Sequence, residues 1–430
     1  MSNPLIAPRG LDDPSRDLPK GWLASQLATK CEIFGGGRLG LTKEKDYRSS
    51  GVTAFSAAGP DGHVDVVEID GQDGVVLSAI GANCGRCFFA SGRWTTLANV
   101  QAIIPKTDLD AKYLFYYVSR DGYWTRSGSA QPFIKPSSIQ TSWVAYPPSN
   151  PEQSKIAEVL STVDRAIAQT EALIAKQQRI KTGLMQDLLT RGIDEHGQLR
   201  SEATHTFKDS PLGRIPVEWD CDPLGTHIWS IEQGWSPDCE AERAAFGYWG
   251  VLKTTAVTWE GYQDIENKAL PESLKPRTQF EVHTDDVLMT RAGPNSRVGV
   301  VAHVRATQPK LMLSDKLYRL RNKNSVDPEY LALTLASAWT QRHLSTLKTG
   351  LAESQTNISQ DIVRSMLIKI PKRDEQIRIV SALRGMDHQL VGERVVHKKL
   401  QSLKTALMQD LLTGKVRVTP LLQPAETASA

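Results

Sequence analysis

The chain contains itself twice. Leu184-Met-Gln-Asp-Leu-Leu-Thr190 recurs letter for letter as Leu407-Met-Gln-Asp-Leu-Leu-Thr413, and the likeness runs upstream at a constant offset of 223 residues without a gap. At that offset Glu152-Gln153 meets Glu375-Gln376, Ile156 meets Ile379, Leu160 meets Leu383 and Asp164 meets Asp387. Lys176 likewise meets Lys399, and Lys181-Thr182 meets Lys404-Thr405. A gapless match of this length requires a rigid element in which every position has a fixed direction.

Periodicity identifies the element. Ile156, Leu160, Val163, Ile167, Ile174, Leu184 and Leu188 fall on steps of three and four, with polar Thr170 and Gln177 interrupting the stripe. Ile379, Leu383, Met386, Leu390, Leu400, Leu407 and Leu411 keep the same register. The pattern predicts two long helices, each with a proline (Pro151, Pro371) where a first turn tolerates one and with Asn150 and Asp374 as caps. Roughly 38 residues at 1.5 Å rise give about 57 Å, and such a helix needs a partner along its length. The obvious partner is the other copy. Gly183, Gly385 and Gly392 inside the helices read as sites of close helix packing.

The flanks repeat more faintly. Leu18-Pro19-x-x-Trp22-x-x-x-x-Leu27 corresponds to Ile215-Pro216-x-x-Trp219-x-x-x-x-Leu224, and at the same offset of 197 Gly37 meets Gly234. Each globular segment also closes alike. Gly128-Ser-Ala-Gln131 precedes Ile139 and Pro147-Pro148, and Gly350-Leu-Ala352 leads through Gln355, Asn357 and Ile362 to Pro371. The predicted organisation is a flexible N-terminus (1–17), a first globular domain (18–149), a helical region (150–192), a linker (193–213), a second globular domain (214–371), a second helical region (372–415) and a flexible tail (416–430).

Within 430 residues there is room for two domains that each bury a core. No apolar run has the length that spans a bilayer and no charged-then-apolar leader opens the chain, so the expected place is the cytosol, with no membrane partner. Five cysteines, an odd number, suit a reducing compartment. Cys84-Gly-Arg-Cys87 has no matching second pair at zinc spacing, so no metal is expected. The net charge is +3, and residues 221–370 hold 17 basic against 17 acidic side chains, so bulk electrostatics alone do not announce a nucleic-acid binder.

Catalytic signals are thin. Gly35-Gly36-Gly37-Arg38-Leu39-Gly40 satisfies the GxGxxG spelling, yet Leu41-Thr-Lys-Glu-Lys-Asp-Tyr47 after it lacks the apolar helical period that would make a phosphate cradle. No GxxxxGK[ST] occurs, Asn150-Pro151 lacks the following Pro-aromatic pair of amino-methyltransferases, and the nine histidines form no HExxH. The globular segments read as β-rich. Val75–Ile80 and Val287–Thr290 are short apolar runs followed by glycine-bearing turns, Gly81 to Gly85 and Gly293 to Gly299. A helix is predicted late in each segment, at Tyr113–Ser119 and Pro328–Leu347.

At this point the chain resembles a family, the specificity (S) subunits of type I restriction-modification systems. Two target recognition domains, each opening on Pro-x-x-Trp-x-x-x-x-Leu, alternate with two helical regions that share Pro-x-x-x-Glu-Gln-x-x-Ile and Lys-Thr-x-Leu-Met-Gln-Asp-Leu-Leu-Thr or its close copy. The second domain adds Leu252-Lys253-Thr254, Leu270-Pro271 and Asp285-Asp286-Val-Leu-Met-Thr290, followed by Gly293 and Arg297-Val-Gly299. The resemblance implies an α+β fold: two β-rich recognition domains alternating with two long helices that pair as an antiparallel coiled coil, pseudo-twofold symmetric. It also implies a reader of a bipartite, asymmetric double-stranded DNA site, one half per domain. The helices would carry two modification (M) subunits, joined by two restriction (R) subunits. The chain would then be no enzyme in isolation and bind no cofactor. S-adenosylmethionine, ATP and Mg would belong to the partners, as parts of a site-specific deoxyribonuclease and adenine-N6 methyltransferase complex.

Arginine can engage guanine edges and Asn or Gln adenine edges, so polar and basic residues on or near the glycine-rich turns are the candidate DNA contacts. They are Arg38, Asn83, Arg86, Arg126 and Gln131 in the first domain and Lys253, Arg291, Asn295, Arg297 and Gln355 in the second. Candidate inter-helix contacts are Ile156, Leu160, Val163, Ile167, Leu184 and Leu188 with Ile379, Leu383, Met386, Leu390, Leu407 and Leu411. Two other readings keep the helices and change the role: a protein scaffold that reads no sequence, and an orphan specificity subunit that exchanges with a resident complex.

Overall fold

A computed structural model describes residues 10–348 and 356–422. The chain divides into two compact units. Unit 1 comprises residues up to Leu173 together with those from Glu393, and unit 2 is the continuous stretch Ile174–Gly392. Both long helices are present, Asn150–Leu188 and Arg373–Leu412. We name the elements used here in chain order: β1 Cys31–Gly35, β2 Gly74–Ser78, β3 Cys87–Ala90, β4 Val100–Pro105, α1 Ala111–Val118, α2 Asn150–Leu188, β5 Ile228–Gln233, β6 Val287–Thr290, β7 Val301–His303, β8 Leu317–Asn322, α3 Pro328–Ala336 and α4 Arg373–Leu412.

Each unit contains a four-stranded antiparallel sheet with the same plan, in the order β1-β4-β2-β3 in unit 1 and β5-β8-β6-β7 in unit 2. Strands β2 and β6 are apolar on both faces because both faces are covered. In β2, Val75 and Leu77 face a core that includes Tyr113 and Tyr117 of α1 and Ile156 and Leu160 of α2, while Val76 faces the other way toward Phe55 and Trp94. In β6, Val287 and Met289 join Tyr330 and Leu331 of α3 and Ile379 and Leu383 of α4, while Leu288 packs with Leu252, Val257 and Leu311. Helix α1 is capped by Asp110, which accepts from the amides of Lys112 and Tyr113; Asp327 does the same for α3 with Glu329 and Tyr330.

The antiparallel direction of the long helices can be read inside each unit. In unit 1, Lys404 reaches Asp164 at 2.6 Å and His397 reaches Glu171 at 2.8 Å, so one number falls as the other rises. In unit 2, Lys181 pairs with Asp387. Asp164 and Asp387 are repeat equivalents, as are Lys181 and Lys404. One ion pair is therefore made twice, once per unit. The apolar stripe does more than join helices: Ile156, Leu160 and Leu411 lie in the core of unit 1, and Leu188, Ile379 and Leu383 in that of unit 2. Leu184 and Leu407 pack against those cores, Leu390 is buried, and Val163, Ile167 and Met386 are half-buried.

The repeated phrases have physical roles. Gln153 accepts from the Asp110 amide at 2.7 Å and donates to the carbonyls of Asp108 and Pro147; Gln376 accepts from the Asp327 amide at 2.7 Å and donates to those of Ser325 and Pro371. Trp22 packs over Gly414, which follows α4, and Trp219 over Gly192, which follows α2. Both glycines have φ of +68°, and an added Cβ would strike the indole, so only glycine fits.

Several expectations change. Asn150 is the first helical residue rather than the cap, and its side-chain amide donates to the Thr107 carbonyl; Asp374 lies inside the first turn. The predicted helix Pro328–Leu347 breaks at Ser337, whose backbone leaves the helical region, into α3 and Ala338–Leu347. Gly183, Gly385 and Gly392 do not mediate close packing: a Cβ at any of them meets nothing within 4 Å. The described parts of the two end segments, residues 10–17 and 416–422, make specific contacts that their composition did not imply. Gly10 exchanges backbone hydrogen bonds with Tyr123 and Trp143, Arg417 pairs with Glu152, and Val418 is buried in the unit 1 core.

Candidate nucleic-acid interface

The registers place specific loops at one end of each sheet. In unit 1, Gly35 pairs with Gln101, Ser78 with Val100 and Leu77 with Cys87. The turns beyond these positions, Gly36–Leu41, Ala79–Arg86 and Leu97–Asn99, therefore gather at the same end. A fourth segment joins them: Ser127 and Phe133 exchange two backbone hydrogen bonds at 2.8 Å, the Gly81 amide donates to the Pro132 carbonyl and the Ile134 amide to that of Ala79. These segments carry Arg38, Arg86, Arg126 and Lys135, all exposed, and not one Asp or Glu. The charge balance of the whole chain concealed this local imbalance.

Four of the five unit 1 candidates converge on this rim, and Arg38 lies beyond the adjoining end of β1. The Arg38 guanidinium sits 3.8 Å from the centre of the Phe34 ring, Arg86 donates to Asn83 Oδ1 at 3.2 Å, and Arg126 lies against Gly85, whose φ of +90° and missing Cβ admit it. Gln131 stands exposed on the turn of the Ser127–Phe133 hairpin. The GxGxxG spelling has another use. Gly36 and Gly37 let the chain pass against Leu97 and Ala98, where a Cβ would meet the Leu97 carbonyl at 2.4 Å, and the helix that follows is only four residues long. The Cys84-x-x-Cys87 thiols are turned inward. Burial raises both, Cys87 to about 12, with the Trp124 indole donating to its sulfur, and among the described residues no cluster of His, Cys, Asp and Glu could hold a metal.

Unit 2 presents the same end with different residues. Gln233 and Met289 both pair with Tyr318, and Met289 also pairs with Val301, which gathers Gly234–Ser236, Arg291–Gly299 and Ser314–Lys316. Arg291 donates to the Asp315 carbonyl at 3.3 Å and lies over Tyr318; Asn295 is exposed, and its carbonyl accepts from Lys348. Arg297 is committed inward, donating to the carbonyls of Thr254 at 2.7 Å and Val257 at 3.0 Å. That clamp brings the Thr254–Val257 segment, and Lys253 beside it, onto the loop that follows β6. The one carboxylate on the three loops, Asp315, is bonded to Ser236. Gln355 lies outside the described residues. Ile80, Gln101 and Phe133 in unit 1 and Lys316 and Lys348 in unit 2 join these rims without having been singled out in the sequence. Their positions depend on strand register, which no local spacing reveals.

Comparisons with known proteins agree with this architecture. A family model described as the type I restriction modification DNA specificity domain matches residues 19–178. The EcoEI specificity subunit of Escherichia coli is 43% identical over 171 residues, which is 39% of this chain and only 29% of that relative's length. The MjaVIII specificity subunit of Methanocaldococcus jannaschii is 23% identical over 369 residues, covering 81% of this chain and 80% of that one. Among solved structures, the S subunit of a type I system from M. genitalium shares the fold with a TM-score of 0.59 at 14% identity, over 94% of this chain and 98% of that one. In its duplicated helix and two like-built units the chain is similar to the specificity subunits of type I restriction-modification systems, whose DNA specificity domain its residues 19–178 match.

Proposed function

We propose that the chain is the DNA-reading subunit of a type I restriction-modification complex, each unit reading one half of a split, asymmetric double-stranded site. The observation that carries this reading is the loop end of each sheet: basic, nearly free of carboxylates, and built at the same topological position from unrelated residues. Phosphate attraction needs the first property and base discrimination the second. Because the two rims share almost no side chains, the two half-sites differ.

The chain supplies no catalytic step in this reading. Methyl transfer, ATP hydrolysis and DNA cleavage, with S-adenosylmethionine, ATP and Mg, belong to two modification and two restriction subunits docked on the long helices. Those helices leave apolar side chains uncovered, Leu173, Val395, Val396 and Leu403 in unit 1 and Ile180, Ile377 and Val391 in unit 2, which suits a surface made for partners. The test is methylation mapping of a genome that carries this chain with its modification subunit, against the same strain lacking this gene. A split, asymmetric methylated motif that disappears with the gene is the expected result; an unchanged methylome refutes the proposal. Exchange of residues 221–370 for those of another specificity subunit should alter one half of the motif only.

A further inference from the structure

We propose that unit 1 holds a subsite for the 5-methyl group of thymine, with the partner adenine read beside it, in the groove between the Ala79–Gly85 turn and the Ser127–Phe133 hairpin. The inference rests on the DNA-reading function above. Ile80 and Phe133 stand opposite each other across a backbone bridge, 37% and 38% exposed, at a rim whose charged side chains are all basic. Two large apolar groups left side by side in water at such a place have an unmet partner.

The groove is lined by Ala79, Ile80, Gln101, Gln131, Phe133 and Pro136, with no charged group among the lining residues. Its walls are held by the Gly81–Pro132, Ile134–Ala79 and Ser127–Phe133 backbone hydrogen bonds, so the shape exists before DNA arrives. In the major groove only thymine offers a methyl group, and the amide of Gln pairs bidentately with adenine N6 and N7, whereas Arg selects guanine. Here two amides and two apolar side chains share one groove while Arg38, Arg86, Arg126 and Lys135 lie outside it, placed for phosphates. Apolar contact plus amide is the chemistry of an A·T pair.

The test uses the full chain assembled with its modification subunit and duplexes carrying its mapped site, with deoxyuridine replacing each thymine in turn. The wild type should bind about fourfold more weakly at one thymine, the worth of one buried methyl group. Phe133→Ala should lose that sensitivity and Phe133→Leu keep it, while Gln131→Ala relaxes discrimination at the same base pair roughly tenfold. Unchanged recognition of the other half-site marks an intact fold. If deoxyuridine is tolerated everywhere while site preference persists, or Phe133→Ala keeps the wild-type penalty, the subsite is wrong and the reading function stands. If no duplex is preferred at all, both fall.

Discussion

Units 1 and 2 anchor their helices with the same glutamate in different company. In unit 2, Glu375 accepts from both Arg200 terminal nitrogens, from the Ile193 amide at 3.0 Å and from the Trp219 indole at 3.2 Å, all within the core. In unit 1, Glu152 receives a two-pronged bond from Arg417, at 2.7 and 2.8 Å, but the arginine side chain is 35% exposed, and among the described residues nothing accepts from the Trp22 indole nitrogen. A repeated sequence position thus fixes what a residue is, while its surroundings decide what it is worth.

The largest expected effect follows from that contrast. Glu375→Ala strands a buried guanidinium and two buried N–H donors and should cost about 3–5 kcal/mol, whereas Glu152→Ala, whose arginine can turn to water, should cost about 1–2 kcal/mol. Equal shifts of the urea midpoint would abolish the distinction. Gln153 and Gln376 make the same three hydrogen bonds, so their alanine variants should each lose about 2–3 kcal/mol and agree within about 0.5 kcal/mol.

Acid should separate the units again. Burial alone would raise the Glu329 carboxyl, but hydrogen bonds from Arg384 and Arg305 outweigh it and hold the group below its ordinary value of 4.5. The folded value is the lower one, so the stability that Glu329 contributes is full above about pH 4.5 and is lost as pH falls through the folded value. Asp387 and Lys181 extend the surrounding charge cluster. The matching position of α1 is Lys112, which carries no carboxyl group. Glu329→Gln should therefore flatten the fall in stability between pH 5 and pH 3; an unchanged slope would remove Glu329 from the account. The smallest effect is a gain. Gly183→Ala, on an open helix face, should raise stability by about 0.5–1 kcal/mol in thermal melts of the free chain.

The two helices and the duplicated plan were legible because a gapless offset preserves direction residue by residue, whereas the antiparallel partnership was implied only by the family resemblance. The sheets were harder. Thirty-eight residues separate β1 from β2 but fifty-three separate β5 from β6, so no single offset relates them although the strand orders match. At the rims glycine and arginine, being local signals, marked turns that the strands gather at one end of each sheet, yet they could not tell an exposed arginine from a committed one. Arg126 projects beside Gly85 while Arg297 is spent on the Thr254 and Val257 carbonyls, a difference created by residues some forty positions away. The helical glycines failed in the opposite direction, because packing is the common reason for such a residue and here no neighbour exists.

The division of the chain has a consequence for the order of its folding. Unit 2 is continuous, Ile174–Gly392, whereas unit 1 needs residues from both sides of it. A ribosome therefore releases everything unit 2 requires before unit 1 can close. In folded unit 2, with Lys181 beside Asp387, the outgoing stretches of α2 and α4 leave as neighbours. What would be the closure of a loop of more than two hundred residues becomes the zipping of two adjacent helices, which removes most of the chain entropy that so distant a contact otherwise costs. Destabilising unit 2 should then slow the folding of unit 1 without touching any of its residues.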